Sequence, residues 1–424
     1  MTNYRPTDDR QVADLVTWAM AEEQPLEIVG GGSKRALGRP LQVEHTLDLS
    51  AFAGIREYEP AELVLTAGAA TPLADIEKAL AERKQMLAFE PVDWRALLGS
   101  GGQGTSPTLG GVLSCNLSGP RRIRAGAARD HFLGVRCING RGEVFKAGGQ
   151  VVKNVTGYDL CKLLAGGYGT LAAMTEVTVK VLPRPEKTRT VLLLGLDDAA
   201  AVRALSDALN APHEVSAAAH LPAGLAAASG VSYVAEAGTS VTALRVEGPG
   251  PSVEYRTRAL REMLGGQGAA ATEELHSMNS VRFWQEIAEV GPLLAGGTGG
   301  AAAAAGRAIW RLSVTPSMAS AVAAAIARAL DGDAQHFYDW GGGLLWVAAP
   351  SDAGDRDAGA ASIRAAIAAN GGGHATLVRA PDPVRAAVPV FEPQAPALAE
   401  LTKRVKESFD PHGIFNPGRV YRGV

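Results

Sequence analysis

Three short runs hold the residues whose types and spacing suggest chemistry. They are Thr108-Leu109-Gly110-Gly111, then Ser118-Gly119-Pro120 with Arg121, Arg122 and Arg124, then Asn154-Val155-Thr156-Gly157-Tyr158-Asp159-Leu160. The last continues through Gly169-Thr170-Leu171 into an alternating strand that ends at Pro183. Upstream, the apolar run Leu26-Glu27-Ile28-Val29 leads straight into Gly30-Gly31-Gly32-Ser33-Lys34. Successive glycines present backbone N–H groups with no side chain in the way of a ligand, which is how a nest binds phosphate. Small residues in loops, arginines close by and no side-chain nucleophile point to a site for a long anionic cofactor. The arginines from 121 to 129 belong either to that site or to a solvated charged loop.

Two common phosphate motifs fail. No Gly-Lys-Ser/Thr ends the loop at 30–34, so it is not a Walker A loop. Gly99-Ser100-Gly101-Gly102-Gln103-Gly104 fits G-x-G-x-x-G, but Pro107 stands where the Rossmann helix should begin, so it reads as a flexible loop. Leu109–Leu117 fits a short helix whose first N–H groups face a pyrophosphate. The histidines are not paired at ligand spacing, and Cys115, Cys137 and Cys161 show no CxxC, so no metal site is expected.

The elements that must position these runs are an α+β set. Residues 8–23 form an amphipathic helix with Val12, Leu15, Val16 and Ala19 at helical spacing. Strands are expected at 26–29 and 62–67, then a helix opened by Thr71 as N-cap and Pro72, burying Leu73, Ile76 and Leu80. Asn139-Gly140-Arg141-Gly142 signals a hairpin. In the strand at 173–182, Val177, Val179 and Val181 alternate with Glu176, Thr178 and Lys180, predicting one buried and one wet face. Beyond 190 the order β-α-β-β-α-β appears at about 190–276 and again at about 308–379. Each half is a ferredoxin-like unit, so the second domain reads as an internal repeat whose halves could share one antiparallel sheet. Gly296–Gly306 is Gly/Ala low complexity, and Gly341-Gly342-Gly343 reads as a turn.

The 424 residues allow two or three cored domains, and a net charge of −3 gives no global attraction to nucleic acid or anionic lipid. The first ten residues lack the apolar region of a signal peptide, and no apolar run approaches the ~18 residues of a membrane span. A cytoplasmic protein is expected.

In their order, the glycine loop, Thr108–Gly111, Arg124-Ala125-Gly126 with Arg129-Asp130, Lys153–Leu160 and Gly169–Pro183 resemble the FAD-binding domain of the vanillyl-alcohol oxidase/p-cresol methylhydroxylase flavoenzyme family. Phe409-Asp410-Pro411-His412-Gly413-Ile414-Phe415-Asn416-Pro417-Gly418-Arg419 is similar to the closing motif of its FAD-linked 2-hydroxy-acid dehydrogenase branch, where the FAD-binding subunits of bacterial glycolate oxidases are the most similar group. The resemblance implies a two-part FAD-binding domain over 1–185, a ferredoxin-like-repeat cap over 186–400, and a segment, 401–424, that returns to the first domain. It implies FAD held at Gly30, Gly31, Gly32, Ser33, Lys34, Pro91, Thr108, Leu109, Gly110, Gly111, Asn116, Ser118, Gly119, Arg124, Val155, Tyr158, Gly169, Leu171, Met174 and Asn416. Lys34 or Arg124 would balance the phosphates. Some family members tether flavin through histidine or cysteine; here Ser33 and Lys34 occupy the loop, so non-covalent FAD is expected.

Catalytic members of the branch carry Glu-His-Gly-x-Gly, where this chain reads Gly373-His374-Ala375-Thr376-Leu377. His374 as base with Arg379 or Arg311 as carboxylate clamp is one reading, and a degenerate site is the other. The implied function is an FAD-binding subunit of a multi-subunit glycolate (2-hydroxy acid) dehydrogenase, forming glyoxylate. Its implied partners are a larger FAD-containing subunit and an iron–sulfur subunit, through which it would sit in the cytoplasm or against the inner membrane face. A self-sufficient FAD-dependent 2-hydroxy-acid dehydrogenase and a structural subunit with a vestigial flavin site stay open.

Overall fold

The computed structural model describes residues 2–102, 104–149, 157–295, 306–351 and 357–424. The chain forms two compact units. The first combines Met1–Ser118, Gly126–Arg184 and Pro393–Val424, and the second combines Gly119–Ala125 with Pro185–Glu392. The expected boundaries at 185 and 400 therefore shift to Arg184 and Pro393, and a seven-residue stretch expected in the first domain joins the second.

In the first unit, Asp8 caps the helix Asp9–Ala21 by accepting from the Gln11 N–H at 2.9 Å, and Val12, Val16 and Ala19 face the core. Strands β1 (Thr2–Tyr4), β2 (Leu26–Val29) and β3 (His45–Asp48) form a parallel sheet in the order β1-β3-β2. Strands β4 (Ile55–Glu59) and β5 (Val64–Gly68) pair antiparallel, and β6 (Gln85–Met86) stands apart from them. They are followed by β7 (Phe132–Asn139) and β8 (Val144–Gly148), the hairpin expected around Asn139, then β9 (Ala172–Lys180) and β10 (Leu182–Pro183). The second sheet runs β4-β5-β9-β7-β8, and β10 pairs with β6. Because β9 is central, its expected wet face is covered: Thr178 is buried and bonds hydroxyl to hydroxyl with Thr66 at 2.9 Å. Thr71 is not a helix cap either. Its buried hydroxyl accepts from the Gly54 N–H and donates to the Gly68 carbonyl, and Pro72 starts the helix Leu73–Glu82 without a side-chain cap.

The second unit is organised by one eight-stranded antiparallel sheet, β14-β11-β13-β12-β16-β17-β15-β18. Its strands are β11 (Lys187–Leu194), β12 (Ala217–Leu221), β13 (Val241–Gly248), β14 (Ala271–His276), β15 (Arg307–Val314), β16 (Gln335–Asp339), β17 (Leu344–Pro350) and β18 (Gly373–Arg379). The halves are mirror arrangements of one strand order, so the repeat read from the sequence is present. Helices Asp198–Asn210 and Gly250–Leu264 cover one face of the first half through Leu205, Val253 and Leu260. Helices Ala319–Ala329 and Ala360–Ala369 cover the same face of the second through Val322, Ile326 and Ile363. The other face carries the helix Ser277–Ala288, where Ser280 and Trp284 both bond to the Thr190 hydroxyl.

The seam between the halves is narrow: β12 meets β16 through a single residue pair, His220 with Tyr338. Asp198, at the start of its helix, spans this seam. Its carboxylate accepts from His336 Nε2 at 2.7 Å and from the Tyr338 hydroxyl at 2.8 Å. His220 Nε2 lies 3.3 Å from the other carboxylate oxygen, within ion-pair reach but out of hydrogen-bond alignment. Burial raises the Asp198 carboxyl, but the nearby His220 ring, the hydrogen bonds from His336 and Tyr338 and the His336 charge outweigh it and hold the group well below the usual range. Gly119–Ala125 belongs to this unit because its partners are here. Arg121 forks onto Glu247 at 2.6 and 3.0 Å, Arg124 pairs with Glu214, and the Gly119 carbonyl accepts from Trp340 Nε1.

Candidate functional site

In the first unit, β2 delivers the chain into a cleft. Gly30, Gly31, Gly32, Ser33 and Lys34 line it, facing Thr108, Gly110, Gly111, Gly169, Met174 and Asn416. Among the described residues, the N–H groups of Gly30, Gly31 and Gly32 have no acceptor. Three successive backbone donors without partners, at the wall of a cleft, are what an anion nest requires. Packing also demands these glycines. A Cβ on Gly31 would fall 2.0 Å from the Ser106 carbonyl oxygen, and Gly32 has φ +72°.

The expected second diphosphate donor differs. The Leu109 and Gly110 N–H groups donate to the carbonyls of Thr71 (3.1 Å) and Ala69 (2.8 Å), and the Gly111 N–H donates to Thr108 Oγ1 (3.2 Å). Thr108 thus caps its own helix, Leu109–Cys115, and the helix start docks on the chain after β5. Gly110 is required there because a Cβ would lie 2.7 Å from the Ala69 carbonyl oxygen. Gly110 and Gly111 contribute surface to the cleft, and the free donors belong to the loop at 30–32.

The closing motif builds the far wall. Asn416, at φ +42°, accepts from the Ile28 N–H at 2.9 Å and donates its amide to the Tyr168 carbonyl at 2.8 Å. It thereby joins β2 to the turn at Tyr168-Gly169. Behind it, buried Lys406 donates to Asp410 (2.7 Å) and to the carbonyls of Thr170 and Phe415, while Asp410 accepts from the Ile414 and Phe415 N–H groups. Burial lowers the Lys406 ammonium, and the Asp410 charge opposes that.

Charged residues missed in the sequence also line the cleft: Glu27, Arg35 and Arg419. Glu27 holds both guanidinium groups, Arg35 Nε at 3.1 Å and Arg419 at 3.0 Å. The hydrogen bond to Glu27 raises the Arg35 pKa despite partial burial. A legible signal existed only for Arg419, which ends the closing motif. Cys115 also lines the cleft, and burial pushes its thiol up, favouring the protonated form.

Other expected cofactor residues lie elsewhere. Asn116 ends the Leu109–Cys115 helix and accepts from the Arg129 N–H, and the Ser118 hydroxyl accepts from the Ala128 N–H. Leu171 lines a small apolar cavity with Leu164, Leu109 is fully buried, and Pro91 does not line the cleft. Gly119 and Arg124 belong to the second unit. Tyr158 is 93% exposed, and Val155 lies outside the described residues. The candidate catalytic residues do not converge. His374 is exposed on edge strand β18 opposite Ser313; Arg311, opposite Thr376 on the same face, lies 5.0 Å from the Trp340 ring. Arg379, past a bulge, donates to the Arg307 carbonyl, and burial lowers its pKa.

A glycine nest with three open donors, flanked by Lys34, Arg35 and Arg419, fits the diphosphate of a dinucleotide. The comparisons with known proteins agree. The "FAD binding domain" family matches residues 4–148, and "FAD linked oxidases, C-terminal domain" matches residues 390–420. The chain is 35% identical over 410 residues to glycolate oxidase subunit GlcE of Escherichia coli (strain K12), covering 96% of both chains. It is 38% identical over 104 residues to glycolate oxidase subunit GlcD of Bacillus subtilis (strain 168), covering 24% of this chain and 22% of that one. Among solved structures, p-cresol methylhydroxylase with substrate bound superposes with a TM-score of 0.73 at 15% identity, over 99% of this chain and 88% of that one. Alkyldihydroxyacetonephosphate synthase superposes at 0.68 and 15% identity, over 98% and 75%. These structural likenesses show the fold.

Proposed function

The chain belongs to the FAD-linked oxidases with a p-cresol methylhydroxylase-type FAD-binding domain, in the group of bacterial glycolate oxidase FAD-binding subunits, and we propose on that premise that it serves a multi-subunit 2-hydroxy-acid dehydrogenase acting on glycolate. It is an FAD-dependent oxidoreductase. The observation that carries the finer reading is the end-to-end similarity to GlcE, which spans 96% of both chains.

In this reading Gly30, Gly31 and Gly32 donate to the diphosphate, and Lys34 with Arg35 and Arg419 offsets its charge. Asn416 and the Tyr168-Gly169 turn hold the opposite wall, and the flavin is bound non-covalently. When bound, FAD supplies the two-electron acceptor. The chain's own contribution to proton removal is weak. His374 has no carboxylate partner from the branch motif, and Arg311 and Arg379 are directed to Trp340 and the Arg307 carbonyl. That arrangement favours chemistry shared with a larger FAD-containing subunit, with electrons passing to an iron–sulfur subunit.

The test is anaerobic addition of glycolate or D-lactate to the purified chain, alone and after co-expression with candidate partners. The expected result is a flavin spectrum that bleaches at a catalytic rate only in the complex. Catalytic bleaching by the chain alone would make it a self-sufficient dehydrogenase, and absence of flavin would make the site vestigial.

A further inference from the structure

We propose that Arg419, five residues before Val424, is a positioning residue for the FAD diphosphate, acting through a Glu27–Arg35 staple that closes the glycine loop. The proposal rests on the reading that the diphosphate lies against Gly30–Gly32. Glu27 precedes the nest on β2 and Arg35 follows it, so their ion pair ties the two ends of the loop together. The Glu27 side chain is 7% exposed and that of Arg35 47%. Arg419, itself 7% exposed, holds the staple from below. One guanidinium nitrogen donates to Glu27 at 3.0 Å; another donates to the carbonyls of Arg35 (2.7 Å) and Leu37 (3.3 Å).

Its backbone takes part too. The Arg39 N–H donates to the Arg419 carbonyl at 2.8 Å, and Gly38, at φ +86°, leaves no room for a Cβ, which would fall 2.9 Å from that oxygen. The loop's return is therefore shaped on Arg419 and its approach is anchored by Glu27. Three successive N–H groups without acceptors are not held in place by bonds of their own; they need such a frame. A guanidinium serves because its donors form a rigid planar fork that reaches a carboxylate and carbonyls at once. An ammonium at the same place keeps the charge and loses the fork. This separates positioning from charge neutralisation. Because linkage is reciprocal, FAD binding also tightens the C-terminal segment.

The experiment titrates FAD, by flavin fluorescence, into the deflavinated full chain and its Arg419→Lys, Arg35→Gln and Gly30→Val variants. Thermal unfolding and hydrogen exchange of 28–39 and 414–420 are followed in parallel. Arg419→Lys is expected to raise the FAD Kd at least tenfold, and Arg35→Gln severalfold. FAD is expected to slow exchange at 414–420 in the parent and not in Arg419→Lys. Parent-like affinity in Arg419→Lys, or a loss that only tracks the folded fraction, overturns the proposal. If Arg419→Lys does not fold, half-exposed Arg35→Gln decides: unchanged affinity there refutes the staple. Gly30→Val distinguishes the underlying reading. Unchanged affinity in that variant refutes the cradle, whereas lost affinity there with parent-like arginine variants refutes only the role of Arg419.

Discussion

Replacing Asp198 by alanine tests what holds the two halves of the eight-stranded sheet together. The seam has one β-bridge, so backbone pairing contributes little there, and the carboxylate accepts from His336 and Tyr338 across it. Hydrogen bonds to a charged group contribute about 1.5–3 kcal/mol each, and a buried donor left unsatisfied costs about 1–3. Tyr338 is fully buried and its hydroxyl has no other acceptor among the described residues. Partial exposure of Asp198 reduces the sum, and we expect a loss of about 3–5 kcal/mol. For a body of this size that lowers the thermal midpoint by about 6–20 °C. Hydrogen exchange should localise the change to β12 and β16. The pH dependence has a definite sign. A carboxyl held low in the folded state stabilises fully above its unfolded pKa, near 3.9, and the stabilisation fades as pH falls below that. The gap between parent and variant should thus narrow as pH falls from about 4 toward 3. A gap under about 1 kcal/mol at pH 7, less than one charged hydrogen bond, would falsify the reasoning. So would a gap that ignores acid.

Two further substitutions probe the other buried charges. Lys406→Met leaves Asp410 without its cation and two carbonyls without a donor, so a loss of about 3–5 kcal/mol is expected, read by thermal unfolding; a midpoint within a degree of the parent would contradict it. Burial raises Glu247, but the charges of Arg245 and Arg121 bring it down to about 2. Its stabilisation is present above its unfolded pKa, about 4.3, and is lost as pH falls toward 2. Arg121→Met should move that loss to higher pH, detected as an earlier acid unfolding of the second unit by circular dichroism.

Local chemistry was legible where its partners are local. The repeat shows because its strands alternate and its Ala-rich helices keep one apolar face, and the glycine loop shows because φ and close approach restrict it to glycine. Long-range partners were not legible. The basic run Arg121–Arg124 reads as an anion site until Glu247 and Glu214 take two of its guanidinium groups. The N–H groups after Thr108 read as diphosphate donors until the carbonyls of Ala69 and Thr71 claim them. Thr178 reads as wet because nothing local places β9 at the centre of its sheet. Glu27 and Arg35 carry no periodic signal, since their meaning depends on Arg419.

The first unit is discontinuous, and that orders events during synthesis. More than 230 residues separate Arg184 from Asn416. At ~5–20 residues per second the ribosome takes about 10–50 s to make them. Throughout that interval the nascent cleft has its glycine loop and lacks the wall that Asn416 and Arg419 supply, while the second unit is made and its two halves become available to fold in turn. The cofactor site is then the last part of the molecule to be finished, and a ribosome that stops short of Asn416 releases a chain with a complete sheet and an open cleft.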